Sequence, residues 1–289
     1  MEFSPADHNK YRDLLLQTYK AFAKFCSDND IHYFAAGGTM IGAIRHHGFI
    51  PWDDDVDVYM KRPEYDKFIS MRNRLVNTDY EIIDPCNDGY YCAMAKFSHR
   101  YSTIWEFQSI PFVFGAYIDV FVLDFEDGTY NEVVAKRKNF AKKVGLLYIC
   151  SNNKPLKVIK ECFCRGELIK SFWYFFQKLF LRNIHPFLKK YINIHSDKEQ
   201  GEWLVAYTGT SGEKDIFRSE WFDGFITYQF EDTCINVPSG YEKFLTAMFG
   251  DFMTPPPIEE QTSHHSLFYY NLDRRITWEE IEKKQIEIQ

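Results

Sequence analysis

No run in the 289-residue chain approaches the ~18 consecutive apolar residues that a membrane-spanning helix requires. The opening stretch, MEFSPADHNKYRDLLL, has no basic segment followed by an apolar one, so a secretory leader is not expected. The chain is read as made and retained in the cytoplasm. Its seven cysteines (26, 86, 92, 150, 162, 164 and 234) lack the spacing of a disulfide framework, and Cys162-x-Cys164 is not the paired C-x2-C of a zinc site. Reduced thiols are expected. An excess of positive charge is also missing: 34 basic residues face 41 acidic ones, a net charge of -7, which excludes a global nucleic-acid partner. There is no internal repeat and no low-complexity linker.

What is present is an ordinary globular balance, 45% hydrophobic and 26% charged, which excludes disorder. At roughly 150 residues per domain the length allows one large unit or two modest ones. Two features stand out. Aromatic residues reach 18%, a large supply of flat amphipathic surface for a core, a ligand or a membrane. The charge is also uneven, because residues 129–190 hold 14 Lys/Arg against Glu132, Glu161 and Glu167, a local +11 suited to anionic lipid or a phosphorylated substrate.

Leu14, Leu15, Tyr19, Phe22 and Phe25 recur at helical spacing and predict a helix over about 5–29. Residues 31–36 read as a short strand broken by Gly37-Gly38, after which Thr39 caps a predicted helix over 40–47, closed by Gly48. Pro51 forces an extended entry into a strand over 54–60, and a helix led by Pro63 is predicted over 63–76. Strand-like stretches follow at 80–83, 91–97 and 116–123, then a helical block over 130–190. Strands return at 203–208, 225–230 and 233–237, before helices over 241–249 and from about 277. This mixture without regular alternation predicts an α+β fold.

Asp53, Asp54, Asp55 and Asp57 carry the most chemical information. On a strand, Asp53, Asp55 and Asp57 share one face while Val56 and Val58 point to the core. Carboxylates stacked this way repel one another and call for a compensating cation, and Mg2+ (or Mn2+) with oxygen ligands suits them. A solvated acidic turn is the plain alternative. An EF-hand is excluded: Asp53, Asp55, Asp57 and Glu64 match its first, third, fifth and twelfth positions, but Val58 stands where glycine is required, and Pro51 and Pro63 interrupt the flanks.

Upstream, a strand, then Gly37-Gly38-Thr39, then a helix presents backbone N–H groups able to cradle phosphate. Coupled to Asp55-x-Asp57 seventeen residues past Gly38, this resembles the nucleotidyltransferase fold, which takes a third carboxylate from a neighbouring strand. Asp119, inside the apolar run Ala116-Tyr117-Ile118-Asp119-Val120-Phe121, fits that role, because a buried aspartate is costly unless paired or metal-bound. A buried Asp119 held only by hydrogen bonds is the alternative.

The run from Gly38 to Val58, containing Gly42-Ala43-Ile44-Arg45-His46-His47-Gly48-Phe49-Ile50-Pro51-Trp52-Asp53-Asp54-Asp55-Val56-Asp57, resembles the signature of the LicD family of bacterial phosphocholine transferases, related to the fukutin-type transferases. Gly115 to Asp124 resembles the family's second acidic strand, and Val237-Pro238-Ser239-Gly240-Tyr241 through Phe249-Gly250-Asp251-Phe252-Met253 and Pro255-Pro256 resembles its C-terminal block. The matches bracket about 30–265. Val122 stands where proline is common, a basic residue expected between Pro257 and His264 is absent, and residues 129–200 match little, which leaves acceptor specificity open.

The resemblance implies a nucleotidyltransferase-like mixed sheet flanked by helices, in three segments: a core over 1–128 with the metal site, a basic aromatic helical insertion over 129–200, and 201–289 completing the catalytic unit. It implies transfer of a phospho-alcohol, phosphocholine first among the candidates, from a CDP-activated donor to a sugar hydroxyl of a cell-surface glycan or its lipid-linked precursor, with release of CMP. Phosphoethanolamine, ribitol phosphate or a nucleotide as cargo, or an inactive glycan-binding scaffold, are the alternatives. In this reading Asp55, Asp57 and Asp119 are catalytic and hold Mg2+, with Asp53 as a further ligand. Gly37, Gly38, Thr39, Arg45 and Lys96 contact phosphate, Arg100 is a further phosphate candidate, and His264-His265 ligate metal, contact phosphate or form a plain surface pair. Tyr90, Tyr91, Trp105, Tyr117 and Trp203 are candidates for an aromatic cage around a quaternary ammonium. The aromatic segment 171–181 inside the basic block suits peripheral contact with the inner face of a membrane, or an ordinary buried helix.

Overall fold

The computed structural model describes residues 3–107, 110–151, 156–180, 198–262 and 267–288. Helix α1 (Pro5–Asp28) starts where the Ser4 hydroxyl accepts the Asp7 N–H, with proline in the first turn. Tyr11, Leu15, Tyr19, Phe22 and Cys26 form its buried face. Phe22 meets Tyr33, Phe68 and Phe97 edge-on, an arrangement that favours aromatic rings beyond their buried area.

The fold is α+β, built on a mixed seven-stranded sheet. Its main path runs β1 (Phe34–Ala35), β2 (Asp57–Lys61), β6 (Tyr117–Glu126), β4 (Ala95–His99) and β3 (Tyr80–Ile83). Only the β2–β6 pair is parallel. The ten-residue β6 serves two neighbourhoods, because its last three residues pair with β7 (Trp203–Val205), which pairs in turn with β8 (Ile216–Arg218). Two small antiparallel ladders flank the sheet, β5 (Thr103–Trp105) with β11 (Tyr269–Asn271) and β9 (Phe225–Phe230) with β10 (Thr233–Pro238). Among the described residues the other α-helices are α2 (Gly37–Ile41), α3 (Arg62–Ser70), α4 (Tyr130–Ser151), α5 (Leu156–Cys164), α6 (Leu168–Phe180), α7 (Tyr241–Phe249) and α8 (Trp278–Ile288). Val133, Phe140 and Val144 of α4 share a cluster with Trp203, Val205, Tyr207 and Ile216. Among the described residues no helix is long and apolar enough to cross a membrane, and the described cysteines are free thiols.

Three local expectations are corrected. The helix expected after a Thr39 cap begins at Gly37 with Ala36 at its N-cap, and continues as a π-helical turn, Gly42–His46, that His47 ends with φ 56°. Thr39 lies inside this helix, and its hydroxyl accepts the Asp57 N–H instead of capping the helix start. The strand expected over 54–60 starts only at Asp57, since β1 is two residues long and offers no ladder to residues 53–56. The helix expected to reach residue 76 stops at Ser70, whose hydroxyl bonds back to the Lys67 carbonyl, and gives way to a 3-10 turn over Arg72–Leu75.

Candidate active site

The sheet register lines up the chemistry. Asp57 on β2 lies opposite Asp119 on β6, and Asp119 lies opposite Lys96 on β4. Residues directly opposite one another on paired strands share a face, so these three form one row across the sheet. Lys96 Nζ donates to Asp119 Oδ1 at 2.7 Å, with both side chains buried. Burial acts to lower the Lys96 pKa, but Asp119, Cys92 and Glu106 outweigh it, and the ammonium is held above its ordinary value. Its Nζ also stands 3.4 Å from the Tyr117 ring centroid and 4.8 Å from that of Phe114.

The Gly37-Gly38-Thr39 turn is tied to the same row. Asp57 N–H donates to Thr39 Oγ1 at 2.9 Å, and the Ala36 N–H donates to the Asp57 carbonyl at 2.9 Å. Gly37 has φ 43°, a left-handed value that glycine adopts without strain. A Cβ at Gly38 would stand 2.6 Å from Asp53 Oδ2, so a side chain there would push the Asp53 carboxylate away from the turn. Asp53 and Asp55 precede the strand, yet Asp53, Asp55 and Asp57 are half-buried while Asp54, Val56 and Val58 are buried, the alternation expected of an extended segment.

The four carboxylates still feel one another. Burial, then Asp55, Asp119 and Asp53, push the Asp57 carboxyl well above the usual carboxylate range, with Lys96 opposing. Among the described residues no three His, Cys, Asp or Glu side chains close into a ready-made ligand cage. Mg2+ is usually held by one or two carboxylates together with substrate phosphates, and the opposed Asp57 and Asp119 supply that number of carboxylates.

Arg45 lies at the end of the π-helical turn. Its guanidinium donates to the Phe252 carbonyl at 2.7 Å and to His46 Nε2 at 2.9 Å, which joins the signature loop to the C-terminal block. Burial, followed by the charges of Arg45 and His47, lowers the His46 pKa, in keeping with its role as acceptor. The loop is latched from a second side: Glu231, at φ 54° in the β9–β10 turn, accepts the Phe49 N–H at 3.0 Å and donates its own N–H to the His47 carbonyl at 2.8 Å. Arg100 braces the sheet edge through the Tyr80 carbonyl and Glu81. His264 and His265 lie outside the described residues.

The aromatic candidates separate. Trp105 is buried in a satellite cluster with Ile276 and Ile281, Tyr90 is fully buried with its hydroxyl on the Met94 carbonyl, and Trp203 stacks under Arg218 beside α4. Tyr91 and Tyr117 instead converge on a residue that sequence reasoning missed, Glu106. Both hydroxyls donate to its carboxylate, Tyr117 at 2.8 Å. The exposed Phe107 packs edge-on to Tyr91 with centroids 5.8 Å apart. Tyr11 of α1 was also missed, although it sits one helical turn before Leu15. Burial first, then the charges of Asp54, Asp55, Glu106 and Asp119, raise its hydroxyl pKa, which puts α1 against the acidic face.

A family model described as "LicD/FKTN/FKRP, nucleotidyltransferase domain" matches residues 30–149. The chain is 31% identical over 248 residues, 84% of its own length and 90% of the relative's, to the lipopolysaccharide cholinephosphotransferase LicD of Haemophilus influenzae. Short 44-residue matches at 43% identity, 15% of the chain, link it to uncharacterized proteins of Rickettsia prowazekii and Rickettsia typhi, covering 16% and 14% of those proteins.

Proposed function

The chain belongs to the LicD family, and from that premise we propose that it transfers phosphocholine from CDP-choline to a sugar hydroxyl of a lipopolysaccharide-type glycan or its lipid-linked precursor, releasing CMP. The observation that carries the reading is the in-register row of Asp57, Asp119 and Lys96, tied through Thr39 to the glycine turn. Asp57 and Asp119, with Asp55 and Asp53 beside them, would hold Mg2+. The ion would neutralise the donor diphosphate and the charge that develops on departing CMP.

The chain's own groups do the rest. Lys96 fixes the orientation of Asp119, which either shares the ion or accepts the proton of the attacking sugar hydroxyl. The Gly37–Thr39 backbone and Arg45 border the phosphates, and the latch through Glu231 and Phe252 keeps that border rigid. Glu106, with the rings of Tyr91 and Phe107, receives the trimethylammonium group, because a carboxylate and aromatic edges together favour a cation. The Tyr117 face is already taken by Lys96, so Tyr117 serves through its hydroxyl. The reaction is placed at the cytoplasmic face of a membrane, where a lipid-linked acceptor presents its glycan.

The test is a donor panel: protein with Mg2+, a mixture of glycan acceptors, and CDP-choline, CDP-ethanolamine, CDP-ribitol or CTP, with CMP release and acceptor mass measured. Mg2+-dependent transfer from CDP-choline is expected. Turnover that survives Asp57→Asn without Mg2+ would remove the mechanism, and a preference for another donor would reassign the cargo.

A further inference from the structure

Helices α5 and α6 form a hairpin of unusual surface character. Their turn is well made: Gly166 takes φ 78°, its N–H donates to the Phe163 carbonyl, and the Glu167 N–H reaches the Cys162 carbonyl at 2.9 Å. The buried Ser171 hydroxyl then donates to the Ile159 carbonyl at 3.0 Å and fixes one helix on the other. A hairpin so tied would ordinarily turn its apolar residues inward. Here Phe163, Leu168, Ile169 and Phe172 are 62%, 58%, 89% and 72% exposed, and Trp173, Phe175 and Phe176 are also exposed. Between the helices lies an apolar groove of about 610 Å³, lined by Ile159, Phe163, Leu168, Phe172 and Phe175, with Lys160 among them. Contiguous apolar surface of this kind marks an interaction site.

Charge chooses the occupant. Over residues 156–180 the sequence carries five Lys/Arg (Lys157, Lys160, Arg165, Lys170 and Lys178) against Glu161 and Glu167. It lies within the +11 stretch of an otherwise acidic chain. Two copies meeting face to face would bring like charges together, whereas an anionic lipid surface gains about 1 kcal/mol per basic residue at its boundary. The 13 residues of α6 span about 20 Å, short of the roughly 30 Å hydrocarbon core, so the helix lies along an interface and does not cross it.

We propose that the α5–α6 hairpin is a membrane-docking element that lays its aromatic face into the headgroup boundary of an anionic bilayer and takes a lipid acyl chain into the groove. The inference stands on the hairpin alone and does not depend on the phosphocholine reading, so either can fail without the other.

The test uses the full-length protein and vesicles of phosphatidylcholine with or without 30% phosphatidylglycerol. Co-sedimentation with the anionic vesicles at low salt is expected, with loss on removing phosphatidylglycerol and about tenfold weakening on raising the salt. Brominated acyl chains should quench a tryptophan signal that disappears in Trp173→Phe. Phe163→Ser/Phe172→Ser exchanges exposed side chains, so the fold should persist, while vesicle affinity drops about tenfold. An unchanged melting temperature and unchanged CMP release with a soluble acceptor would confirm that fold and site are intact. Absence of sedimentation, binding indifferent to the double variant, or light scattering showing that the variant converts a dimer to a monomer would each overturn the proposal.

Discussion

Strand β6 carries two aspartates five residues apart, each met by a buried cation. Asp124 is gripped by Arg62 through two bonds, Nε at 2.6 Å and Nη2 at 3.0 Å, with both side chains about 2% exposed. Arg62 also reaches Asp66 and lies 5.5 Å from the Tyr65 ring centroid. The Asp119 partner is a lysine, a compact point charge making one bond at 2.7 Å. Side chains five apart on a strand fall on opposite faces. The Asp124 face is closed by a planar fork that matches a carboxylate, as a strut requires. On the Asp119 face the charges of Asp55, Asp119 and Asp53 raise the Asp57 carboxyl while Lys96 opposes them, so this side of the sheet concentrates negative charge at Asp57. On the proposed function, the contrast separates a charge pair that holds the sheet from one that serves the chemistry.

The sharpest way to break this comparison is to neutralise each aspartate. Asp57→Asn and Asp119→Asn should cut CMP release from CDP-choline by about 10²–10³-fold with the fold retained. An Asp119→Asn enzyme keeping most of its turnover would place Asp119 with Asp124. Arg62→Met should do the opposite, costing about 3–5 kcal/mol in urea melts by leaving Asp124 buried and unpaired, with turnover per folded molecule unchanged. Adding Asp124→Asn to it should recover much of that loss.

A smaller effect probes specificity: Glu106→Gln should raise KM about tenfold for CDP-choline and leave CDP-ribitol unaffected, read from initial rates with both donors. The smallest concerns pH. Because burial and the neighbouring carboxylates raise the Asp57 carboxyl, the folded protein holds that proton more tightly than the unfolded chain. That contribution to stability is present in acid and lost as pH rises through the raised value. Melting temperatures of the metal-free protein should therefore fall from pH 5 to pH 8 more in wild type than in Asp57→Asn. Mg2+ should return about 2–4 °C to the wild type alone.

Much of the fold was legible in local pattern. Strands over 80–83 and 225–230 and the helix over 241–249 fall where alternation and periodicity put them. The acidic signature and Asp119 were legible because carboxylates in apolar surroundings are conspicuous. Glu106 was not, because a single acid between Trp105 and Phe107 looks like any surface residue until Tyr91 and Tyr117 arrive from other strands and loops. Nor were the limits of the strand before Asp57: alternation supposes a neighbouring strand, and only pairing partners reveal that residues 53–56 have no such ladder from β1.

By itself the sequence determined the residue types available for phosphate and cation chemistry, the fold class, and the partition of charge between an acidic body and a basic helical block, because these follow from composition and short-range spacing. Tertiary structure alone decided that Asp57, Asp119 and Lys96 form one row, that Arg62 closes Asp124, and that Glu106 is held by two tyrosines. It also decided that the aromatic face of α5 and α6 is left outward. Each of these depends on register and packing between segments 11 to 62 residues apart, and side-chain burial and charge pairing across such distances are set only when the strands have found their neighbours.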